Sequence, residues 1–461
     1  MKENALFNDF VTPVVQIECE NNELYVKRDD LLPFSFGGNK IRIALEFIND
    51  MYYQGKNCII GYGNARSNMS RALANICYKY NIPCYIISPS EEDGTRIDTF
   101  NSKIVEICNA HFIFCSKQNV KNTVELTLEK LREKGLKPYY IYGDSTGKGN
   151  EHIPILAYKK VYTEIKDKYD YIFLATGTGM TQSGLIVGRN LNKGKEKIVG
   201  ISISRNAISE TTIIKDMISS YNNKIEKVES DGIIVDDSYL SGGYGNYNLG
   251  IEHIIYYQLT KNGIPLDPTY TGKAFYGMID YLNKNGIKGK KVLFIHTGGT
   301  PLFFDYIKSI KLLEISSFKD AYDAVAKLEK NLVPSLIARG INLKEYSNKL
   351  VTNGKIWGHY SMGEPISIVA GYFNNNSLTG YLSLLSIDEK YRGKKFGTSL
   401  MKKVEEHAIN CGMERIKLEV RKDNEVAQKF YENIGYKIIG DASNSSYYML
   451  KKLRKGEYNN E

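Results

Sequence analysis

Lys40 closes the stretch KRDDLLPFSFGGNK at residues 27–40, directly behind two glycines and an asparagine. Gly37 and Gly38 permit backbone shapes that other residues avoid, and Asn39 is a favourable N-cap. Ile41, Leu45, Ile48 and Tyr52 recur at helical spacing, which predicts a helix with Lys40 in its first turn. The positive end of the helix dipole disfavours an ammonium there. A lysine that sheds its proton readily can condense with an aldehyde as a Schiff base. The plain alternative is a solvated lysine on a first helical turn.

Three further segments shift that balance. ATGTGMTQSGL at 175–185 follows the apolar run Tyr171 to Leu174. Strand, Gly-rich turn and helix start is the order in which backbone amides cradle a phosphate. FIHTGGT at 294–300 and GYGNARSNMSRALA at 61–74 repeat that order. Three such turns and a lysine fit a cofactor crevice at the carboxyl ends of parallel strands.

KRDDL, GGNK, SNMSR, GTGMTQSGL, GGYG, LDPTYTGKAF and HTGGT follow one another along residues 1 to about 310. In this order they resemble the fold type II (tryptophan synthase β-like) enzymes that use pyridoxal 5'-phosphate (PLP). The nearest branch is D-cysteine desulfhydrase and 1-aminocyclopropane-1-carboxylate deaminase. The resemblance implies that Lys40 holds the cofactor aldehyde. It implies that Asn68 contacts the ring hydroxyl and Ser67 the substrate carboxylate. Gly177, Thr178, Gly179, Met180 and Thr181 would hold the phosphate, and Tyr244 and Tyr270 would flank the substrate. The deaminases usually carry Glu where this chain has Thr271, and the desulfhydrases carry Thr. A hydroxyl at the pyridine nitrogen would not keep it protonated as a carboxylate does, so Thr271 suits β-elimination better than cyclopropane opening. Thr297 would be a second neutral partner there. Met180 replaces a family glycine, Met69 a His or Gln, and YGDSTGKGNEHIP at 142–154 departs from the family segment. These departures touch the substrate side.

The 461 residues suggest two or three domains, and 42% hydrophobic with 25% charged residues is ordinary globular composition. Seven cysteines show no paired or metal-type spacing, and six histidines are scattered. That predicts buried thiols in a reducing, cytoplasmic setting, and no metal. MKENALFNDF lacks the apolar core of a signal peptide, and no run is long enough to span a membrane. The formal charge of +9 is spread over lysines rather than gathered in one block. It suits capture of anionic cofactors and carboxylate substrates more than nucleic acid.

Up to about residue 310, short apolar runs such as NCIIGYG, CYIISP, KIVEIC, YYIYG, YIFLATG, KIVGISIS and KVLFIHTGG alternate with helical patterns. This predicts strands in α/β layers, a first domain at 1–312, a junction at KLLEISSF (311–318) and a second domain at 317–454. The second domain runs from helices through a meander at 353–384 to YLSLLSIDEKYRGKKFGTSLMKKVEEHA and RIKLEVRKDNEVAQKFYENIGYKII. These stretches resemble the GNAT acetyltransferases. The resemblance implies that Arg392, Gly393, Lys394, Lys395, Phe396 and Gly397 bind the pyrophosphate of acetyl-CoA, with Lys395 in place of a glycine. It also implies that Leu385 to Ile387 pair with the pantetheine arm, and that Asn424 and Tyr431 belong to the N-x-x-A-x-x-x-Y helix. Tyr431 would be a general acid for the departing thiolate.

The expectation is a bifunctional α/β enzyme, acting as a homodimer on a small amino acid and on an amine acetyl acceptor. PLP-dependent β-elimination with deamination leads. β-Replacement and racemisation are the enzymatic alternatives, and one half retained only to bind its ligand is the alternative from another class.

Overall fold

A computed structural model describes residues 10–90, 97–374 and 377–453, so the leader reading of the first decapeptide falls, Phe10 apart, outside the described residues. The chain divides into two compact units, up to Ile307 and from Lys308.

The first unit holds two sheets. The larger runs Val14–Ile17, Glu23–Lys27, Lys291–Ile295, Tyr171–Thr176, Lys197–Ser202 and Ile234–Asp236, parallel throughout except for the first hairpin. The smaller, all parallel, runs His111–Cys115, Cys84–Pro89, Cys58–Tyr62 and Pro138–Tyr140. All six residues of Tyr171–Thr176 are buried, as expected where helices cover both faces of a parallel sheet. The helices Asn39–Tyr53, Asn68–Lys79, Ile153–Glu164 and Met180–Leu191 supply much of the surrounding core.

Two local expectations are corrected. KIVEIC, read as a strand, lies in the helix Phe100–Ile107. Thr99 and Ser102 form a reciprocal capping box there, and this local signal outweighs three β-branched residues. Asn39 is not the N-cap. Gly38 caps the helix at φ 101°, and Asn39 is its first residue.

The charges of KRDDL are largely structural. Glu164 binds Lys27 Nζ at 2.8 Å and Arg42 Nη1 at 2.6 Å. Asp29 accepts from Thr12 and Tyr158, both at 2.6 Å. Arg28 pairs with Asp30 at 2.7 Å. Buried charges persist only when so satisfied, and this network ties the turn before Lys40 to the helix Ile153–Glu164.

The second unit is a seven-stranded sheet in the order Lys311–Glu314, Lys355–Ser361, Glu364–Tyr372, Thr379–Ile387, Arg415–Arg421, Ser446–Lys452, Lys437–Ser443. Its one parallel pair joins Thr379–Ile387 to Arg415–Arg421. The stretch read as a junction supplies Lys311–Glu314, which pairs antiparallel with Lys355–Ser361. Four residues are too short a run for an alternating pattern to announce an edge strand. Leu400, Met401 and Val404 of the helix Phe396–Asn410 pack with Ile416, Leu418 and Met449 in the core.

Candidate active site

A cavity of about 480 Å³ opens at the carboxyl ends of the first unit's parallel strands. Lys40, Ser67, Asn68, the turn Gly177–Thr181, Tyr244, Tyr270 and Thr297 all line it. Segments more than 250 residues apart in sequence therefore meet around one space.

Close backbone contact sets Lys40. Asn39 N donates to Thr297 O at 3.0 Å and Gly38 N to Asp29 O at 2.8 Å. A Cβ on Gly298 would lie 2.5 Å from the Gly38 Cα, so only glycine permits this approach. Asn39 Nδ2 donates to Thr181 Oγ1 at 2.8 Å, joining the lysine helix to the helix after the Gly-rich turn. Lys40 Nζ is then 3.9 Å from Met180 Sδ. Burial pushes the Lys40 ammonium down to about 8, with the negative charge of Glu210 opposing.

The turn at 177–179 leads from the buried strand into Met180–Leu191, with Gly179 left-handed at φ 69° as N-cap. First-turn amides of a helix lack intrahelical partners and attract anions. Asn68 shows a further fit to the cofactor. Its Oδ1 accepts from Arg71 Nη2 at 3.3 Å and Asn101 Nδ2 at 3.1 Å. Both partners are donors, so the network fixes which end of the amide is oxygen and leaves the NH₂ to face other partners. Ser67 Oγ accepts from Ser70 N at 3.1 Å as N-cap and keeps its proton to donate.

Tyr244 and Tyr270 share a hydroxyl–hydroxyl hydrogen bond of 2.6 Å with edge-to-face rings. Burial and the neighbouring Tyr244 raise Tyr270 well above the ordinary tyrosine value, so it is a proton donor at neutral pH. Tyr270 is placed by Asp267, whose Oδ1 accepts from the Thr269 and Tyr270 amides at 2.9 and 2.8 Å.

Thr271 is the one predicted PLP-side residue outside the cavity lining. It is fully buried, its Oγ1 donating to Asp267 Oδ2 at 2.8 Å and accepting from Asp267 N at 2.9 Å. Sequence reasoning did not anticipate Asp267 as the acceptor that holds this turn, or Tyr62, Lys117 and Arg205 in the lining, while Tyr142 opens the 142–154 segment expected on the substrate side. The DP-x-Y spacing was the available signal for Asp267, because Asp before Pro initiates turns.

In the second unit, Lys395 is the N-cap of Phe396–Asn410 at φ 64°. It keeps the left-handed conformation suited to glycine, at a cost of about 1 kcal/mol. Arg392, Gly393, Lys394 and Lys395 are exposed, and Arg392 Nη2 donates to Asn331 O at 2.9 Å. A Cβ on Gly397 would come within 3.1 Å of Phe430 and 3.2 Å of Ile387, so the loop packs on the strand carrying Leu385 and Ile387. That strand pairs with Arg415–Arg421 only from Thr379 to Leu382. Past Leu382 it makes no further ladder pair with that strand, which leaves backbone groups for an extended ligand. Asn424 Oδ1 accepts from Ala427 N at 3.0 Å and caps Glu425–Asn433. Tyr431 is buried against Phe430 and Tyr436, and burial raises its hydroxyl above the usual range.

Parallel α/β layers, a buried lysine of lowered pKa and a Gly-rich turn define a fold type II PLP enzyme in the first unit. Residues 7–298 match the pyridoxal-phosphate dependent enzyme family and residues 328–436 the acetyltransferase (GNAT) family. The chain belongs to the PLP-dependent enzyme family, with a C-terminal GNAT domain. It is 32% identical over 307 residues to a Pyrococcus abyssi protein whose name provisionally assigns it to the 1-aminocyclopropane-1-carboxylate deaminases, covering 64% of this chain and 91% of that one. A crystal structure of a homologue of that deaminase matches with a TM-score of 0.56 and 29% identity, over 64% of this chain and 92% of the other.

The lowered pKa leaves roughly a tenth of Lys40 amines neutral at pH 7, against roughly one in three thousand for an ordinary lysine. Only the neutral amine attacks an aldehyde. The rate at which apoprotein captures PLP, followed by absorbance, should therefore rise about tenfold per pH unit and level off above pH about 8. A rate still climbing steadily at pH 10 would contradict the buried-lysine environment.

Proposed function

We propose that the first unit catalyses β-elimination with deamination of a small amino acid bearing a β-leaving group, as D-cysteine desulfhydrases do. One observation carries this reading: no carboxylate lines the cavity among the described residues. Bound PLP supplies an aldehyde that condenses with amines and a ring that spreads charge developing at the substrate α-carbon. Thr297, which lines the cavity, is the neutral partner available to the ring nitrogen, while Thr271 is held by Asp267. A ring without a nearby carboxylate is a weaker electron sink. Such a site would suit substrates with an acidic α-proton and a good β-leaving group better than one whose cyclopropane ring must open.

In this reading Ser67 donates to the substrate carboxylate. The Lys40 amine takes the α-proton, and its low pKa keeps a neutral fraction available for the task. The hydrogen-bonded Tyr244–Tyr270 pair, with Tyr270 held protonated by its burial, donates toward the departing β-group. With one water consumed, the products are an α-keto acid, ammonia and the protonated β-leaving group. The test is a panel of D- and L-amino acids with mass-spectrometric detection of products. D-cysteine, β-chloroalanine or O-acetylserine should turn over faster than 1-aminocyclopropane-1-carboxylate. A clear preference for the cyclopropane substrate would sink the elimination reading.

For the second unit the proposed reaction is acetyl transfer from acetyl-CoA to an amine. The exposed Lys395 leaves the helix start clear and adds positive charge for a pyrophosphate. Tyr431, protonated by virtue of its burial, would donate to the leaving thiolate. Tyr431→Phe should lower acetyl transfer on the order of 100-fold while coenzyme affinity, read by calorimetry, stays nearly constant. An unchanged rate would reduce Tyr431 to a packing residue.

A further inference from the structure

Lys273 is fully buried in the helix Thr271–Lys284. Its ammonium donates to three main-chain carbonyls: Gly243 O at 2.7 Å, Leu240 O at 2.9 Å and Ile203 O at 3.3 Å. An ammonium has three protons, so donors and acceptors match one to one. Burial pushes Lys273 down to about 8 with Asp267 opposing, which leaves it mainly charged at neutral pH.

The three carbonyls belong to two pieces of the site. Ile203 and Arg205 follow the strand Lys197–Ser202, and Ile203 packs where a Cβ on Gly177 would sit. Leu240 and Gly243 belong to the loop that carries Tyr244. Ser241, Gly242, Gly243 and Gly245 all have positive φ, at 52°, 83°, 119° and 81°. Such a loop loses much backbone entropy on ordering and offers few side chains to hold it. Its internal anchors include Gly243 N to Leu240 O at 2.9 Å and Asn246 Nδ2 to Gly242 O at 3.1 Å. Lys273 ties it to the segment after the strand Lys197–Ser202, on the Gly177 side of the cavity.

We propose that Lys273 is a positioning residue for Tyr244, and that the carbonyls of Ile203, Leu240 and Gly243 form a monovalent-cation cage which the lysine fills from within the chain. Convergent carbonyls replace the hydration shell of an ion such as potassium, so an ammonium or potassium ion fits the space once the lysine is shortened. The functional consequence rests on the reading of Tyr244 as a substrate-flanking residue, but the cage itself does not.

The test uses the full chain with Lys273→Ala, in ammonium or potassium chloride and in choline chloride, whose cation is too large for the cage. In choline, amides of residues 240–245 should lose hydrogen-exchange protection in the cofactor-free protein. Ammonium or potassium should restore it. With PLP bound, KM for the amino acid should rise on the order of 10- to 100-fold in choline, with a smaller change in kcat, and recover with the small cations. Lys273→Met, which fills the space without donors, should lose protection and not recover. Unchanged protection in Lys273→Ala, equal behaviour in all three salts, or a variant that stays unfolded in all three would overturn the cage. Cation-dependent protection without turnover of any amino acid by the wild-type enzyme would leave the cage standing and remove the elimination reading instead.

Discussion

The first unit depends on two backbones touching at Gly38 and Gly298. That contact lets Asn39 N reach Thr297 O and starts the lysine helix against the turn after the strand Lys291–Ile295. From there Asn39 reaches Thr181 and Lys40 comes beside Met180. Any side chain at Gly298 would separate the amine from the Gly-rich turn at 177–179. The glycines are thus a steric condition for the chemistry, while the buried ion network of Lys27, Asp29, Arg42 and Glu164 holds the approach from behind.

A gradient of electrostatics follows. Burial makes Lys40 a weaker base than usual and keeps Tyr270 protonated, so one group accepts a proton and the other donates one at the same pH. The cavity carries cationic and neutral groups, and the nearby carboxylates of Asp267 and Glu210 are engaged elsewhere. Asp267 accepts from the amides of Thr269, Tyr270 and Thr271 ahead of the helix Thr271–Lys284, and Glu210 accepts from Thr176 at 2.9 Å.

Lys40 and the Gly-rich turns were legible as local patterns at helix starts and strand ends, while Ser67, Asn68, Tyr244, Tyr270 and Thr297 were marked by the family resemblance, and all of them line one cavity. Thr271, read as a partner of the ring nitrogen, lies outside the cavity lining because its neighbour Asp267 takes the hydroxyl, which only the folded turn reveals. KIVEIC was misjudged because a capping box outweighed β-branched residues. Tyr62, Lys117 and Arg205 come from separate segments, and no one-dimensional pattern marks side chains that converge only across sheets. In the second unit the loop at 392–397 was legible as a motif. The end of pairing past Leu382 was not, because it depends on register.

Two lysines in the first unit, Lys40 and Lys273, are lowered to about 8 by burial, yet only Lys40 lines the cavity beside the phosphate turn. The central claim is that geometry, not basicity, selects the lysine that holds the cofactor. Borohydride reduction of PLP-loaded protein followed by peptide mapping tests it most directly. The pyridoxyl group should be found on Lys40 alone, in stoichiometric amount. Its recovery on Lys273, or its spread over surface lysines with Lys40 unmodified, would contradict the account.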